Sequence, residues 1–220
     1  MAVNLRLDWC SYQAAKYAVI NYHYSKRMPR YKQVYIGVWE DGQFKGVIIF
    51  GLSICPHLGN AFNIKSIEVA ELTRIALKEH HTPVSKLCSV ALRMIKKQSP
   101  GLRLIVSYAD SMQGHNGAIY QAGNWVYIGE YGQSKQYYFR GAWRNDSSMF
   151  RLFRDHPEVK RGITTRELPP KYKYLYPLDD AMRKQIEQLR KPYPKRQKDS
   201  SEPLDDQSKE GGAAPTLTLQ

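Results

Sequence analysis

IVSYADSMQGHNGAIYQAGNWVYIG, residues 105–129, is the stretch whose reading decides the architecture of this 220-residue chain. It opens as a buried strand that stops at Asp110 and passes through a polar, glycine-containing loop. A short helix carrying Tyr120 follows, and a second strand opens at Trp125. A carboxylate at the end of a strand and a phenol on the next helix meet at the rim of a sheet, where such groups can move protons. Asp110 and Tyr120 are the first candidate catalytic pair.

Upstream, Asn4–Asp8 alternates apolar and polar residues as a short strand does, and residues 11–21 place Ala15, Ala18, Val19 and Tyr22 on one helical face. Val34–Trp39 and Phe44–Ile54 flank Asp41-Gly42, a hairpin signal, and Ile67–Leu77 reads as a third long strand. Thr82-Pro83 suits a helix start, and Val84, Leu87, Cys88, Ala91, Met94 and Ile95 then follow at helical spacing. With Leu102–Tyr108, His115–Ala122, and a closing hairpin of Trp125–Gly129 with Gln136–Arg140, the order is β-α-β-β-β-α-β-α-β-β. That order predicts an α/β (α+β) fold with a mixed, mostly antiparallel sheet flanked by helices. Residues 1–143 form the domain in this reading and 144–198 a less regular, basic extension packed on it, with a short amphipathic piece around Met149–Arg154, then Pro169-Pro170 and the run Tyr172–Leu178, and a helix from Asp179 to Arg190. Residues 199–220 are a polar, acidic tail whose composition predicts disorder.

Charge narrows the partners. The net charge is +13 and the pI near 9.6. Residues 140–198 carry 16 basic against 7 acidic side chains, whereas residues 199–220 carry 1 against 5. Such a surface favours a polyanion, nucleic acid first. Lys26, Arg27, Arg30 and Lys32 share one loop with Tyr24 and Tyr31, so cations can meet phosphates while aromatic rings stack a displaced base. The Lys/Arg-rich run 171–198 offers further backbone grip. Cys10, Cys55 and Cys88 form no metal-type spacing and suit a reducing compartment. No segment approaches about eighteen apolar residues, so the expectation is a cytoplasmic protein that meets no membrane.

The third long strand and the helix after it suggest an acyl-coenzyme seat. Backbone of Ile75, Ala76 and Leu77 is available to pantetheine amides, and Thr82, Val84, Ser85 and Lys86 stand where a helix start meets phosphate. The same run also reads as an ordinary capped helix after a strand.

The element order and the run from Ala118 to Trp125 resemble the GNAT acyl-CoA transferases, in which a tyrosine of the last helix lies near the thioester sulfur. The GNAT glycine loop is missing, since Lys78–Lys86 contains no glycine, and Asn124 stands where that family has glycine. More closely, the shared order of several motifs resembles the phage Mom family, a divergent GNAT branch. The motifs are Tyr22-His23-Tyr24-Ser25-Lys26-Arg27-Met28-Pro29, Gly46–Gly51, Glu71-Leu72-Thr73-Arg74, Ser107-Tyr108-Ala109-Asp110, Gly114–Ala122 and Lys173–Asp179. The resemblance implies conversion of adenine N6 in phage DNA to a carbamoylmethyl form, with acetyl-CoA as donor, protecting that DNA from host restriction. It places Arg74 and Ser85 in the coenzyme region and His23, Asp110 and Tyr120 at the reaction centre. It further implies an iron ion with His23 and its neighbouring tyrosines as ligands, and an adenine that is flipped or single-stranded. Two rivals remain open: a GNAT acetyltransferase acting on another amine (an aminated DNA base, a protein lysine or a polyamine), and a non-catalytic basic nucleic-acid-binding protein.

Overall fold

Seven strands build the main sheet of the computed structural model, in which residues 3–52, 57–132 and 134–195 are described. The predicted tail 199–220 and Cys55 lie outside those residues. The strands are β1 (Leu5–Trp9), β2 (Gln33–Glu40), β3 (Gln43–Gly51), β4 (Val69–Leu77), β5 (Leu104–Ala109), β6 (Val126–Tyr131) and β10 (Lys171–Pro177). Their spatial order is β1-β2-β3-β4-β5-β10-β6, and every neighbouring pair is antiparallel except β4–β5. The mixed, mostly antiparallel sheet expected from the element order is thus present. Asp41 and Gly42 both take positive φ (51° and 78°), as a two-residue turn between twisted antiparallel strands requires.

Helices cover both faces. Helix α1 (Tyr12–Tyr22) is capped by the Ser11 hydroxyl, which accepts from Ala14 N, and buries Ala15, Ala18 and Val19 against Val47, Ile49 and Ala76. On the opposite face α2 (Val84–Gln98) buries Leu87, Cys88, Ala91, Leu92 and Ile95 beside α3 (Ala118–Ala122), at about 1.5–3 kcal/mol for each large apolar side chain. Helix α5 (Asp180–Glu187), capped by the Asp179 carboxylate, drives Met182 and Ile186 against Leu104, Val106, Val126 and Leu175. None of the described helices is long and apolar enough to cross a membrane.

The C-terminal part of the sheet departs from the expectation. Strand β6 does not close a hairpin with the 136–140 run; it pairs with β10, which enters between β5 and β6. A domain boundary at residue 143 therefore cuts through the main sheet. The intervening chain forms a second sheet, β8-β7-β9, from β7 (Ser134–Phe139), β8 (Ala142–Asn145) and β9 (Thr165–Leu168), with α4 (Asp146–Asp155) after β8. The reason is aromatic. Tyr174 of β10 is fully buried, packs against Tyr120 and Tyr127, and donates its hydroxyl proton to Asn116 O in the loop before α3. Gly117, at φ +81°, lies so close to the Tyr174 ring that a Cβ there would stand 2.3 Å from it. Lys173 on the same strand is also buried, its ammonium over the rings of Phe62, Tyr108 and Tyr131, so it is not part of a DNA-gripping surface.

Between β4 and β5 the sheet opens. The two strands pair only at Val69, Ala70 and Glu71. Immediately afterwards a bulge leaves Thr73 without an opposite residue on β3, and its hydroxyl donates to Ile49 O at 3.1 Å. Bulges bend the strand that carries them. From Leu72 to Leu77 the β5-facing edge of β4 has no partner strand.

Glu40, at the end of β2, fixes the loop beyond β4. Its carboxylate is 1% exposed and accepts from His81 N and Thr82 N, each at 2.8 Å. Thr82 is consequently committed to Glu40, and Pro83, not Thr82, stands at the N-cap of α2. Burial alone would raise the Glu40 pKa, but the Thr82 side chain and the two N–H groups outweigh it and bring the value down to about 2. Because the folded value lies below the ordinary 4.5, the stabilisation is complete above that pH and is lost as pH falls through about 2. Glu40→Gln should cost about 3 kcal/mol at pH 7 in denaturant unfolding, with the gap to wild type closing at strongly acid pH. A variant equal to wild type at pH 7 would contradict this role.

Candidate active site at the mouth of the β4–β5 split

Asp110 is the last residue before the chain turns away from β5, and it caps the following turn by accepting from Met112 N at 3.2 Å. Its other carboxylate oxygen accepts from the Tyr24 hydroxyl at 3.1 Å and lies 3.7 Å from Lys171 Nζ. Tyr24 comes from the loop after α1, and Lys171 opens β10, so three distant parts of the chain converge on one carboxylate. Burial, and then the Asp110 charge and hydrogen bond, push the Tyr24 phenol up to about 12; it remains protonated and donates. The loop expected to contact DNA thus gives its first tyrosine to the Asp110 carboxylate.

His23 stacks on Tyr24 with ring centroids 4.3 Å apart, and His115 meets the same tyrosine edge-on at 6.0 Å. His23 Nδ1 accepts from Ser25 N at 3.1 Å and lies 2.8 Å from Ser25 Oγ. A backbone N–H can only donate, so Nδ1 keeps its lone pair for it and the ring proton sits on Nε2. Burial, followed by the charges of Arg74 and His115, lowers the His23 pKa to about 4, which makes the ring neutral near pH 7. In this state neither nitrogen offers a free lone pair. Among the described residues, moreover, no three His, Cys, Asp or Glu side chains converge on a point. The iron site expected at His23 and its neighbouring tyrosines does not fit these residues, since Tyr24 is also protonated and donates to Asp110.

Arg74 follows the bulge on β4. It donates to Thr73 O at 2.6 Å, while its Nε is buried without a hydrogen-bond partner. Its charge acts on both His23 and Tyr24, so Arg74, expected in the coenzyme region, stands at the mouth. Val84, Ser85 and Lys86 occupy the first turn of α2, as expected, and Ile75, Ala76 and Leu77 lie on the open part of β4.

Tyr120 sits deeper. It is 7% exposed, with its oxygen 2.8 Å from Ser107 Oγ, and Ser107 Oγ is 2.9 Å from Leu72 O. A serine has one proton to give and a carbonyl can only accept. The chain therefore runs from the Tyr120 hydroxyl to Ser107 and on to Leu72 O. It bridges α3, β5 and β4 where the two strands separate. Burial above all raises the Tyr120 pKa well beyond the usual phenol value, and the neighbouring Tyr24 adds to the rise. The phenol is thereby held in its proton-donating form.

Lys26, Arg27 and Arg30 are exposed on the loop beside the mouth. Lys32 instead lines a separate cavity of about 580 Å³ with Trp9, Val34, Leu52, Ile67 and Leu102. That cavity does not include Asp110, Tyr24 or Tyr120; chemistry, not volume, assigns the candidate site. Ser107, His115 and Lys171 escaped the sequence reading. Ser107 carried a signal, as a polar residue inside an otherwise apolar strand requires a hydrogen-bond partner. His115 and Lys171 carried none.

By ¹⁵N NMR, His23 should show an Nε2–H tautomer that does not titrate above about pH 5. Titration near 6.5 would contradict the arrangement.

The chain was compared with known proteins. A methylcarbamoylase Mom of Escherichia phage Mu is 27% identical over 206 residues, spanning 87% of this chain and 84% of its own length. A solved structure described as a candidate acetyltransferase from Acinetobacter baylyi ADP1 superposes with a TM-score of 0.43 at 14% identity, covering 81% of this chain and 94% of that one. The model of the Mom protein family matches residues 4–195, and the chain belongs to that family.

Proposed function

We propose that this protein is a phage DNA-modifying transferase that attaches a carbamoylmethyl group to adenine N6 and so shields DNA from host restriction enzymes. The hydrogen bond from Tyr24 to Asp110 at the mouth of the β4–β5 split carries the reading. An exocyclic adenine amine is a poor nucleophile because its lone pair is delocalised into the ring. Asp110 takes the proton that N6 loses as it attacks an acyl carbon, with Tyr24 and Lys171 holding the carboxylate in place. This acyl transfer is the first step only, since by itself it leaves an amide, and the carbamoylmethyl product requires a further nitrogen and a bond from the methylene carbon to nitrogen. Arg74 Nε–H, buried and unpaired, meets the carbonyl oxygen as negative charge develops on it. Tyr120, held protonated beside Ser107, gives its proton to the departing group.

The donor lies along the open edge of β4. Acetyl-CoA is the donor implied by the family resemblance; Ile75, Ala76 and Leu77 offer its pantetheine arm backbone partners, and Val84, Ser85 and Lys86 are the residues left for phosphate. On the outer side Lys26, Arg27 and Arg30 bind DNA phosphates, and Tyr24 and His115 receive an adenine turned out of the stack.

Nucleoside mass analysis of DNA from cells expressing the chain tests this reading. The expected product is carbamoylmethyl-deoxyadenosine; a simple acetamide would favour an ordinary N-acetyltransferase, and unmodified DNA would overturn the assignment. Asp110→Asn and Tyr120→Phe should each lower the modification rate by about 10²–10⁴ while DNA affinity holds. Full activity in both variants would remove them from the site. Lys26→Ala with Arg27→Ala should weaken DNA binding and reduce its salt slope by about 2. An unchanged slope moves the DNA surface elsewhere.

A further inference from the structure

The seat that a coenzyme pyrophosphate would need is filled from within. In the loop between β4 and α2, His81 N and Thr82 N already donate to the buried Glu40 carboxylate, and residues 78–86 hold no glycine that would let a phosphate approach the backbone. A phosphate arriving there meets a like charge and no free N–H at those two positions. The groove nevertheless remains open along Leu72–Leu77, and Arg74 Nε waits at its inner end for an acceptor. The site is built to take an acyl group while lacking the usual anchor of coenzyme A.

Atom counting points the same way, and rests on the carbamoylmethyl reading above. That substituent contains two carbons, a nitrogen and an oxygen. An acetyl donor brings the carbons and the oxygen, but needs a separate nitrogen source and a two-electron oxidant to join the methyl carbon to nitrogen. A glycyl group brings every atom at the right oxidation level.

We propose that the donor is an activated glycyl ester or thioester, held along β4 without a pyrophosphate anchor. Adenine N6 attacks the glycyl carbonyl; the N6–C bond forms, the bond to the carrier breaks, and the carrier leaves with the proton lost by N6. The glycyl amine next attacks purine C6 through a five-membered ring. The C6–N6 bond breaks, and N6 departs as the terminal carboxamide nitrogen, taking the proton that the amine loses. Adenine plus glycyl carrier gives carbamoylmethyl-adenine plus free carrier, with nothing oxidised or reduced. Arg74 stabilises the carbonyl oxygen, Asp110 takes the amine proton, and Tyr120 supplies the carrier with one.

Cells expressing the chain, fed unlabelled purines and glycine carrying two ¹³C and one ¹⁵N, provide the test. The modified nucleoside should be heavier by three mass units than expected from the unmodified deoxyadenosine of the same digest. A modified nucleoside that takes up ¹³C-acetate and not the intact glycine unit overturns the glycyl donor while leaving the proposed function standing. Absence of any modified nucleoside overturns the proposed function, and this inference with it. A purified reaction on an adenine oligonucleotide, with glycyl-pantetheine in one arm and a ribose glycyl ester in the other, separates thioester from ester carriers. Modification in either arm supports the proposal; activity with acetyl-CoA alone contradicts it.

Discussion

The parting of β4 from β5 governs the rest of this molecule. Two parallel strands that pair for three residues and then separate must leave backbone groups unpaired inside a sheet, which is costly unless something replaces the lost bonds. The bulge at Thr73 begins the separation, and the Ser107 hydroxyl spans it by donating to Leu72 O. Beyond that point β4 offers its edge to an incoming chain-like ligand. Asp110 ends β5 at the same opening, so the geometry that exposes the backbone also presents the carboxylate.

Around this opening the electrostatics separate the roles of neighbouring groups. Tyr24 and Tyr120 are both kept protonated, chiefly by burial, and His23 is kept neutral by burial and the charges of Arg74 and His115. Arg74 and Lys171 supply positive charge on either side of Asp110 and Tyr24. The result is one carboxylate that accepts and two phenols that donate, as acid–base chemistry on an amine nucleophile requires. Beyond the end of β4 Glu40 claims the backbone N–H groups of His81 and Thr82.

Much of this was legible in the chain because it is written in local patterns. The hairpin at Asp41-Gly42, the apolar face of α2, and the strand–loop–helix from Ile105 to Ala122 depend on neighbours in sequence, and they fold as their periodicity indicates. The placement of β10 was not legible. Lys171–Pro177 lies in a stretch whose sequence reads as less regular, and its choice of β5 and β6 as partners depends on Tyr174 meeting Tyr120, Tyr127 and Gly117 across more than forty residues. The role of Glu40 carried no local signal because its partners are forty-one and forty-two positions away. Tyr24 looked like part of a basic DNA loop because its true partner, Asp110, lies eighty-six residues on. Asp110 itself was found because a carboxylate ending a buried strand is a local signal.

In the proposed function the reacting adenine meets the mouth formed by Tyr24, Asp110 and His115. Photocrosslinking with an oligonucleotide bearing 8-azidoadenine, mapped by peptide mass analysis, tests it most directly. The account predicts crosslinks in the peptides carrying His23–Ser25 and Asp110–Asn116. Crosslinks confined to the cavity lined by Trp9, Val34 and Ile67, or to the second sheet, would contradict it.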